Sequence, residues 1–532
     1  MNFIEASVLI LFIAVLCVPL ANRLRVPLEI FLFLGSCLIS FTPGLPNFEI
    51  TSTLVFNIFL PPILFSAAYF TSWPDFKFNL RPILQLAFGL VILTTVIVAI
   101  AVKIILPDFS WAESFLLGAI VSPTDATAAT SILKRMGLPR RFITLLEAES
   151  LVNDATALIL YRFSLGAVLY GSFSLTEAMG KFVFITAGGI VIGFGVAFII
   201  ISMIKKISNV QAETVVTFIA AFASYLLAER LGFSGVISTV VAGIYFGIRF
   251  PEAATSHTRV AARASWGSLL FIINGFIFAL IGLELPSVVK ALSSFSTLSL
   301  LYYGVIISSV VMIVRLASIY PFAYIPRALF PSIARKDPMP SWQFLLGLGW
   351  TGMRGIVSLA AALAIPEFAR SGLSVSHLDL IVYLTYFVVV TTLVIPSVTL
   401  PRLIKWLKLT DKSEINYKMK QEANARIKIF NEILAMTSLL DKNENIPPNV
   451  LQDFIQHIEM KQKVIHSQLN QNPYSMLVDE YMSYKKLLLV SNQTERKILN
   501  ELRKSGEIHD EVFWALSEEL DIEELRAKSF RI

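Results

Sequence analysis

Gly118-Ala-Ile-Val-Ser122-Pro123-Thr124-Asp125-Ala-Thr-Ala128 sets a proline, three hydroxyls and a carboxylate in the middle of an apolar run that extends over 111–134. A helix crossing a hydrocarbon layer of ~30 Å needs about 20 residues at 1.5 Å each, and this run is long enough. Pro123 has no N–H to donate and clashes with the preceding turn, so the helix is predicted to break at its centre. The break leaves carbonyl and hydroxyl oxygens available as ligands. A second run, 342–365, has the same character: Gly347, Gly349, Gly352 and Gly355 alternate with Trp350, Thr351, Met353 and Arg354. Two interrupted helices in corresponding places of two halves point to an inverted-repeat secondary transporter with its site at the midplane, although no repeat is visible in the letters themselves.

The surrounding composition agrees. Of 532 residues 55% are hydrophobic and 15% charged, and mean hydropathy is +0.69, outside the range of water-soluble domains. Residues 1–404 hold 25 Lys/Arg and 18 Asp/Glu, whereas residues 405–532 hold 19 and 20. The chain therefore divides into a membrane domain, 1–404, and a polar C-terminal domain, 405–532, expected to be cytosolic and helical. The net charge of +6 lies wholly in the apolar part, so it is assigned to loops at the membrane face and no nucleic-acid partner is expected. Cys17 and Cys37 fall inside apolar runs and suggest no disulfide framework. No basic residue precedes Arg23, so the first apolar run lacks the charged start of a signal peptide and is expected to remain as a spanning helix.

Apolar segments fall near 3–21, 27–42, 51–70, 80–104, 111–134, 142–171, 178–203, 211–230, 233–249, 265–284, 298–323, 342–365 and 377–403. The expected fold is an all-α polytopic membrane protein with about 13 transmembrane helices. With that count, the loops after odd-numbered segments carry 16 Lys/Arg, from Arg23 to Lys336, and the other loops carry five: Lys103, Lys181, Arg230, Lys290 and Arg370. Loops rich in Lys and Arg stay in the cytoplasm, which places the N-terminus outside and the C-terminal domain inside a plasma (inner) membrane.

A charged side chain at the bilayer centre costs at least ~2.5 kcal/mol and is a functional candidate by default. The mid-span set is Asp125, Glu149, Asn153, Asp154, Arg162, Arg315 and Arg354. In the sixth segment Ser150 and Asp154 are four apart, as are Glu149 and Asn153, so one helix presents two adjacent polar stripes. One stripe can hold an ion and the other a partner. Oxygen ligands suit a hard alkali cation, and Asp154, Asp125, the Ser150 hydroxyl and the Thr124 carbonyl would supply them. No His/Cys cluster suggests a transition metal, and none of His257, His377, His457, His466 and His509 is placed as a midplane relay. Arg162 and Arg315 are expected to pair with helix ends or lipid headgroups, and Gly188-Gly189-Ile-Val-Ile-Gly193 to allow close helix packing, with a dimer contact as one option.

Four ordered motifs carry a resemblance: Phe59-Leu-Pro61-Pro62-Ile-Leu-Phe65, Ser122-Pro-Thr-Asp125-Ala, Glu149-Ser-Leu-Val-Asn153-Asp154-Ala and Trp350-Thr-Gly-Met-Arg354-Gly-Ile-Val-Ser-Leu. Over most of 1–404 the chain resembles bacterial sodium/proton antiporters of the first monovalent cation:proton antiporter family, the NhaP and NHE branch. The resemblance implies that Asp154 is the carboxylate that binds ion and proton, that Asp125 lies at the unwound crossing, that Asn153 precedes the key aspartate, and that Glu149 pairs with Arg354. It also implies a homodimer with a dimerisation part and a moving core. One departure stands out: many members place an acidic residue after the first motif, where this chain has Ser66. Either the ion loses a ligand there or Ser66 contributes a hydroxyl.

The expected function is exchange of Na⁺ or Li⁺ for H⁺, electroneutral at 1:1, serving pH homeostasis, with cation and proton competing for Asp154 by alternating access and no cofactor involved. The alternatives are K⁺/H⁺ exchange on the same scaffold and, behind it, a cation channel, for which no repeated filter motif is present. An enzyme is not expected, because no HExxH, GxSxG or P-loop pattern occurs. In the tail, apolar positions such as Ile427/Phe430/Ile433/Leu434 and Leu451/Phe454/Ile455/Ile458 predict short amphipathic helices with a break at Asn443–Pro448.

Overall fold

The computed structural model describes residues 3–24, 27–40, 54–134, 136–171, 175–292, 295–369, 377–409, 412–443, 447–469, 476–505, 507–508 and 510–529. Arg25, Arg135, Arg370 and His509, used in the sequence reading, lie outside them. Every regular element among the described residues is helical. The chain falls into two compact units, Met1–Asp411 and Lys412–Ile532.

The first unit begins with α1 (Phe3–Leu24) and α2 (Leu28–Ile39). A π-helical turn, Leu54–Phe59, then leads into α3 (Leu60–Tyr69). The wide turn has a covalent cause: Pro61 and Pro62 offer no N–H to the carbonyls of Asn57 and Ile58, so the regular ladder cannot be made there. Short helices α4 (Trp73–Phe78) and α5 (Leu80–Leu84) and a second π-helical turn, Gln85–Leu90, follow, continuing as α6 (Val91–Ile105). Next come α7 (Trp111–Val121), α8 (Thr127–Lys134), α9 (Arg140–Tyr170), α10 (Leu175–Ile204), α11 (Val210–Arg230), α12 (Gly235–Ala253), α13 (Ser256–Ala291), α14 (Thr297–Leu329), α15 (Pro331–Lys336), α16 (Trp342–Trp350), α17 (Ile356–Ala369) and α18 (Leu378–Trp406).

Eight helical stretches are long and apolar enough to cross a bilayer unaided, among them Leu80–Ile105, Arg140–Leu169, Ser256–Pro286 and Leu378–Trp406. Leu28–Ile39, Leu54–Tyr69 and Trp111–Val121 are apolar but shorter. Their apolar faces point outward as much as inward: Phe12, Leu38, Ile104, Val191 and Leu298 are all exposed, as expected of surfaces solvated by lipid rather than water. The chain is a multi-pass membrane protein.

Packing sorts these helices into two bundles. In one, α1, α2, α3, α10, α11, α12 and α13 pack chiefly on one another; in the other, α6, α7, α9, α14, α16, α17 and α18 do. Gly188, Gly189 and Gly193 belong to the first bundle and are consumed inside the chain. A methyl at Gly189 would sit 2.8 Å from the Ser234 carbonyl, and one at Gly193 would overlap that of Ser238. These glycines let α10 lie against α12 of the same chain, so the close packing is intramolecular.

In the second unit, α19 (Lys412–Asn443), α20 (Pro448–Leu469), α21 (Met476–Ser505) and α22 (Asp510–Ser529) are 20 to 32 residues long rather than short. Charge pairs one turn apart, such as Arg426 with Glu422 at 2.7 Å, extend them beyond their apolar stripes. Between α21 and α22, Leu499, Phe513 and Leu520 form a small core, and Asn492 Nδ2 donates to the Leu520 carbonyl at 2.7 Å.

Candidate functional site

Both interrupted runs break where the sequence expects. α7 ends at Val121 and α8 begins at Thr127; α16 ends at Trp350 and α17 begins at Ile356. Each first half finishes on a hydroxyl that turns back onto its own helix: Ser122 Oγ donates to the Ala119 carbonyl at 3.0 Å, and Thr351 Oγ1 donates to that of Leu348 at 2.8 Å. The two breaks meet, because the Asp125 amide donates to the Met353 carbonyl at 2.8 Å.

A broken helix exposes unpaired carbonyls at one end and unpaired amides at the other, with partial negative and positive charge respectively. Here each carbonyl end receives a guanidinium. Arg354 Nε donates to the Val121 carbonyl at 3.0 Å, closing α7. Arg315, projecting from α14, donates through Nε to Gly349 at 3.2 Å and through Nη2 to Leu348 at 3.4 Å, closing α16. The amide end of α8 receives a carboxylate: Asp125 Oδ1 accepts from the Thr127 amide at 2.8 Å and its hydroxyl at 2.7 Å. Two glycines make this possible. A methyl on Gly352 would overlap the Arg315 side chain, and one on Gly355 would overlap the Asp125 carboxylate.

Helix α9 runs past the crossing with its two polar stripes facing different ways. Glu149 and Asn153 turn to the break and are buried, each 1% exposed. Asn153 Nδ2 donates to the Thr124 carbonyl at 3.1 Å and to Thr124 Oγ1 at 2.8 Å, while Thr124 Oγ1 donates to Glu149 Oε1 at 3.1 Å. Ser150 and Asp154, one residue further round, line a cavity instead. Ser150 Oγ accepts the Ala126 amide at 3.3 Å. Among the described residues, Asp154 makes no hydrogen bond or ion pair with another side chain.

The resemblance-based pairing of Glu149 with Arg354 is corrected by the structure. Glu149 is held by Arg315, through Nη1 on one oxygen and Nη2 at 3.1 Å on the other. Arg354 spends its donors on the Val121 and Gly352 carbonyls, the latter at 2.6 Å. Geometry decides the exchange: Arg354 sits inside the second break, where carbonyls surround it, whereas Arg315 enters from α14 and reaches past Gly352 to α9. Arg315 is therefore neither interfacial nor lipid-facing, being 1% exposed. Arg162 pairs at 2.6 Å with Glu229, one residue from the C-terminal end of α11, so it meets a helix end as expected.

The cavity, about 320 Å³, lies at the seam between the two bundles. Thr124, Asp125, Ser150 and Asp154 line one wall; Ser66 with Leu60, Ile63 and Ala67 of α3, and Leu270 and Asn274 of α13, line the other. Ser66 Oγ donates to the Ile63 carbonyl at 2.9 Å, so it turns its acceptor lone pairs toward the remaining space. The cavity reaches the face of the bundle that bears Lys134 and Glu147, themselves paired at 2.7 Å. Toward the opposite face the seam is closed by apolar contact of Val55, Phe59, Ile277 and Ile281 with Leu359, Ala360 and Leu363, which leaves about 10 Å³.

The sequence reading missed Arg315 as a member of this network, and Asn274 and Ser358 as cavity residues. Arg315 carried a signal, as a lone charge in an apolar run, but its partner sits 166 positions away. Asn274 is neutral and nothing in its neighbours marks it; Ser358 lies within the fourth motif, where a neutral hydroxyl in an apolar run carries no signal of its own. No cluster of three or more metal-ligating side chains occurs among the described residues.

The sequence pattern described as sodium/hydrogen exchanger, transmembrane, matches residues 8–406. The chain belongs to the sodium/hydrogen exchanger family. It is 28% identical over 516 residues to a sodium, potassium, lithium and rubidium/H⁺ antiporter of Bacillus pumilus, covering 94% of this chain and 74% of that one. It is 30% identical over 405 residues to the Na⁺/H⁺ antiporter ApNhaP of Aphanothece halophytica, covering 74% and 70%. Its fold is similar to that of the sodium proton antiporter MjNhaP1 from Methanocaldococcus jannaschii, with a TM-score of 0.61 at 21% identity over 77% of this chain and 99% of that one. Both sequence relatives are named as antiporters, that is, as transporters.

Proposed function

We propose that this family member exchanges Na⁺ or Li⁺ for H⁺ across the plasma membrane at 1:1, with the two ions competing for the Asp154 carboxylate. The observation that carries this reading is the pairing pattern. Glu149, Arg315 and Arg354 are engaged by protein groups, whereas Asp154 faces the cavity with no side-chain partner among the described residues. A carboxylate left to a wet cavity binds whichever cation arrives, and a proton and an alkali ion cannot neutralise it together. Asp125, the Thr124 carbonyl and the Ser150 hydroxyl would complete an oxygen shell for the cation. Thr124 O has one lone pair beyond that taken by Asn153.

Exchange follows if the helices of the crossing and α9 move as one body against α3 and α13, so that Asp154 faces the two sides in turn. The one-sided cavity and the dry closure opposite fit one end of such a cycle. With a single titrating site, both crossings carry equal charge, and the neighbouring Asn153 cannot titrate. We assign the Lys134 face to the cytoplasm from the positive-loop bias, with thirteen crossings, the N-terminus outside and 405–532 as a cytosolic domain. A homodimer is proposed from family resemblance.

The deciding experiment is flux in proteoliposomes driven by a proton gradient, read separately for Na⁺, Li⁺ and K⁺ at clamped membrane potential. The expected result is Na⁺ and Li⁺ flux indifferent to voltage. Each uncompensated charge would gain about 2.3 kcal/mol per 100 mV, so a voltage-dependent flux sinks the 1:1 ratio. K⁺/H⁺ exchange is the second reading, favoured by Ser66: without an acidic residue on the α3 wall, less negative charge is available to strip water from a small cation. The Bacillus pumilus relative, named for all four alkali ions, supports keeping it.

A further inference from the structure

Three guanidiniums converge on one carboxylate where α9 begins. Asp337 accepts from Arg141 at 2.7 Å, from Arg81 at 3.2 Å and from Arg327 at 2.5 Å. Arg327 also donates from Nε to the Asp337 carbonyl at 3.0 Å, and its side chain is 3% exposed. The surroundings do not neutralise the group. Asp75 is taken by Arg140 at 2.5 Å and Glu147 by Lys134 at 2.7 Å, so the cluster keeps an excess of two positive charges. One donor nitrogen, Arg81 Nη1, is shielded from solvent and has no hydrogen-bond partner.

Beside the cluster lies a small apolar slot of about 40 Å³, lined by Leu86, Leu145, Phe322, Phe344 and Leu348, with Arg141 and Arg327 also in its wall. Leu84 and Ile325, adjacent to the lining on the same helices, are 40% and 53% exposed, so the slot borders surface that meets lipid. We propose that the Arg81, Arg141 and Arg327 cluster binds the phosphate of an anionic phospholipid from the leaflet on this face, with its acyl chains against the exposed apolar surface at Leu84 and Ile325. Guanidinium forks match phosphate oxygens in pairs, and basic pockets between membrane helices recognise anionic headgroups. A free inorganic anion would make no use of the exposed apolar surface beside the cluster. A zwitterionic lipid would bring its own cation against the excess positive charge. The site lies on the second bundle, apart from the seam cavity, and does not depend on the exchange reading.

The test uses the full chain in nanodiscs of mixed phosphatidylglycerol and phosphatidylcholine, with retained lipid read by native mass spectrometry. The unaltered protein is expected to retain phosphatidylglycerol in preference to phosphatidylcholine. Arg81→Gln and Arg141→Gln, both at partly exposed positions, are each expected to lower that retention about fivefold, the effect of one cation near an anionic headgroup. Asp337→Asn, which removes the competing carboxylate, is expected to raise it. Equal retention of the two lipids, unchanged retention in the double Arg81→Gln/Arg141→Gln variant, lower retention in Asp337→Asn, or displacement of the lipid by millimolar inorganic phosphate would each overturn the proposal.

Discussion

The Asp125 amide and the Met353 carbonyl meet at 2.8 Å, so the two interrupted helices are tied to each other through their own unwound backbones. The break in each run thus satisfies a backbone group of the other. This is the condition under which irregular backbone is tolerated at membrane depth. The side chains around it follow the same rule, with guanidiniums at the carbonyl ends of α7 and α16 and a carboxylate at the amide end of α8.

Gly355 has no room for a side chain because the Asp125 carboxylate occupies the space a methyl would take. Gly355→Ala is expected to displace Asp125 and destabilise the crossing by about 1–3 kcal/mol, the usual penalty for overpacking. Gly195→Ala, in α10 with open space around it, serves as the control. Equal transport and equal thermal stability in the two variants would contradict the packing described.

Asp154 and Arg315 should separate function from folding. Asp154→Asn removes a charge that no side chain among the described residues pairs, so melting temperature should change little while cation-coupled proton flux disappears. Arg315→Ala strands the buried Glu149 carboxylate and should cost roughly 3–5 kcal/mol, seen as loss of folded protein in detergent. Full proton-coupled cation uptake by Asp154→Asn would end the mechanism.

Asn153 is a donor by necessity. Its Nδ2 serves both the carbonyl and the hydroxyl of Thr124, and Asn153→Asp would set an acceptor against that carbonyl. The expected loss is roughly 1–3 kcal/mol, the penalty for an unsatisfied buried pair. Thermal denaturation of purified Asn153→Asp measures it, and an undiminished midpoint would show that the amide is dispensable.

Arg162 and Glu229 join α9 to α11 at 2.6 Å, across the seam between the bundles. The pair is partly exposed, so its contribution to stability should stay below about 1 kcal/mol. Movement of one bundle against the other must nonetheless break it. Arg162→Gln is therefore expected to alter turnover with little change in melting temperature; a variant identical to the parent in rate would remove the pair from the transport cycle.

The tail folds on its own small core around Leu499, Phe513 and Leu520. Truncation after residue 411 is expected to leave exchange in place, and comparing pH profiles of the two forms asks whether the tail tunes it. An unchanged profile would exclude a pH-sensing tail.

Much of this was legible in the letters because the membrane leaves few choices. Apolar length sets where helices lie, and Pro123 and the glycines of 347–355 mark the breaks through local backbone chemistry. The four-residue spacing of Ser150 with Asp154 and of Glu149 with Asn153 assigns each pair to one stripe of a single helix. These are short-range properties, decided within a turn or two of the chain. Which long side chain reaches which partner was decided only by the tertiary structure. Arg315 and Arg354 look alike as lone charges in apolar runs, and only the crossing of α7 with α16 delivers one to Glu149 and the other to the Val121 carbonyl. The same holds for Gly188, Gly189 and Gly193, whose partner helix α12 no local pattern names, and for Asn274 and Ser358, which reach the cavity only when the bundles come together. Helix formation is local, but the pairing of buried charges depends on contacts between residues far apart in sequence.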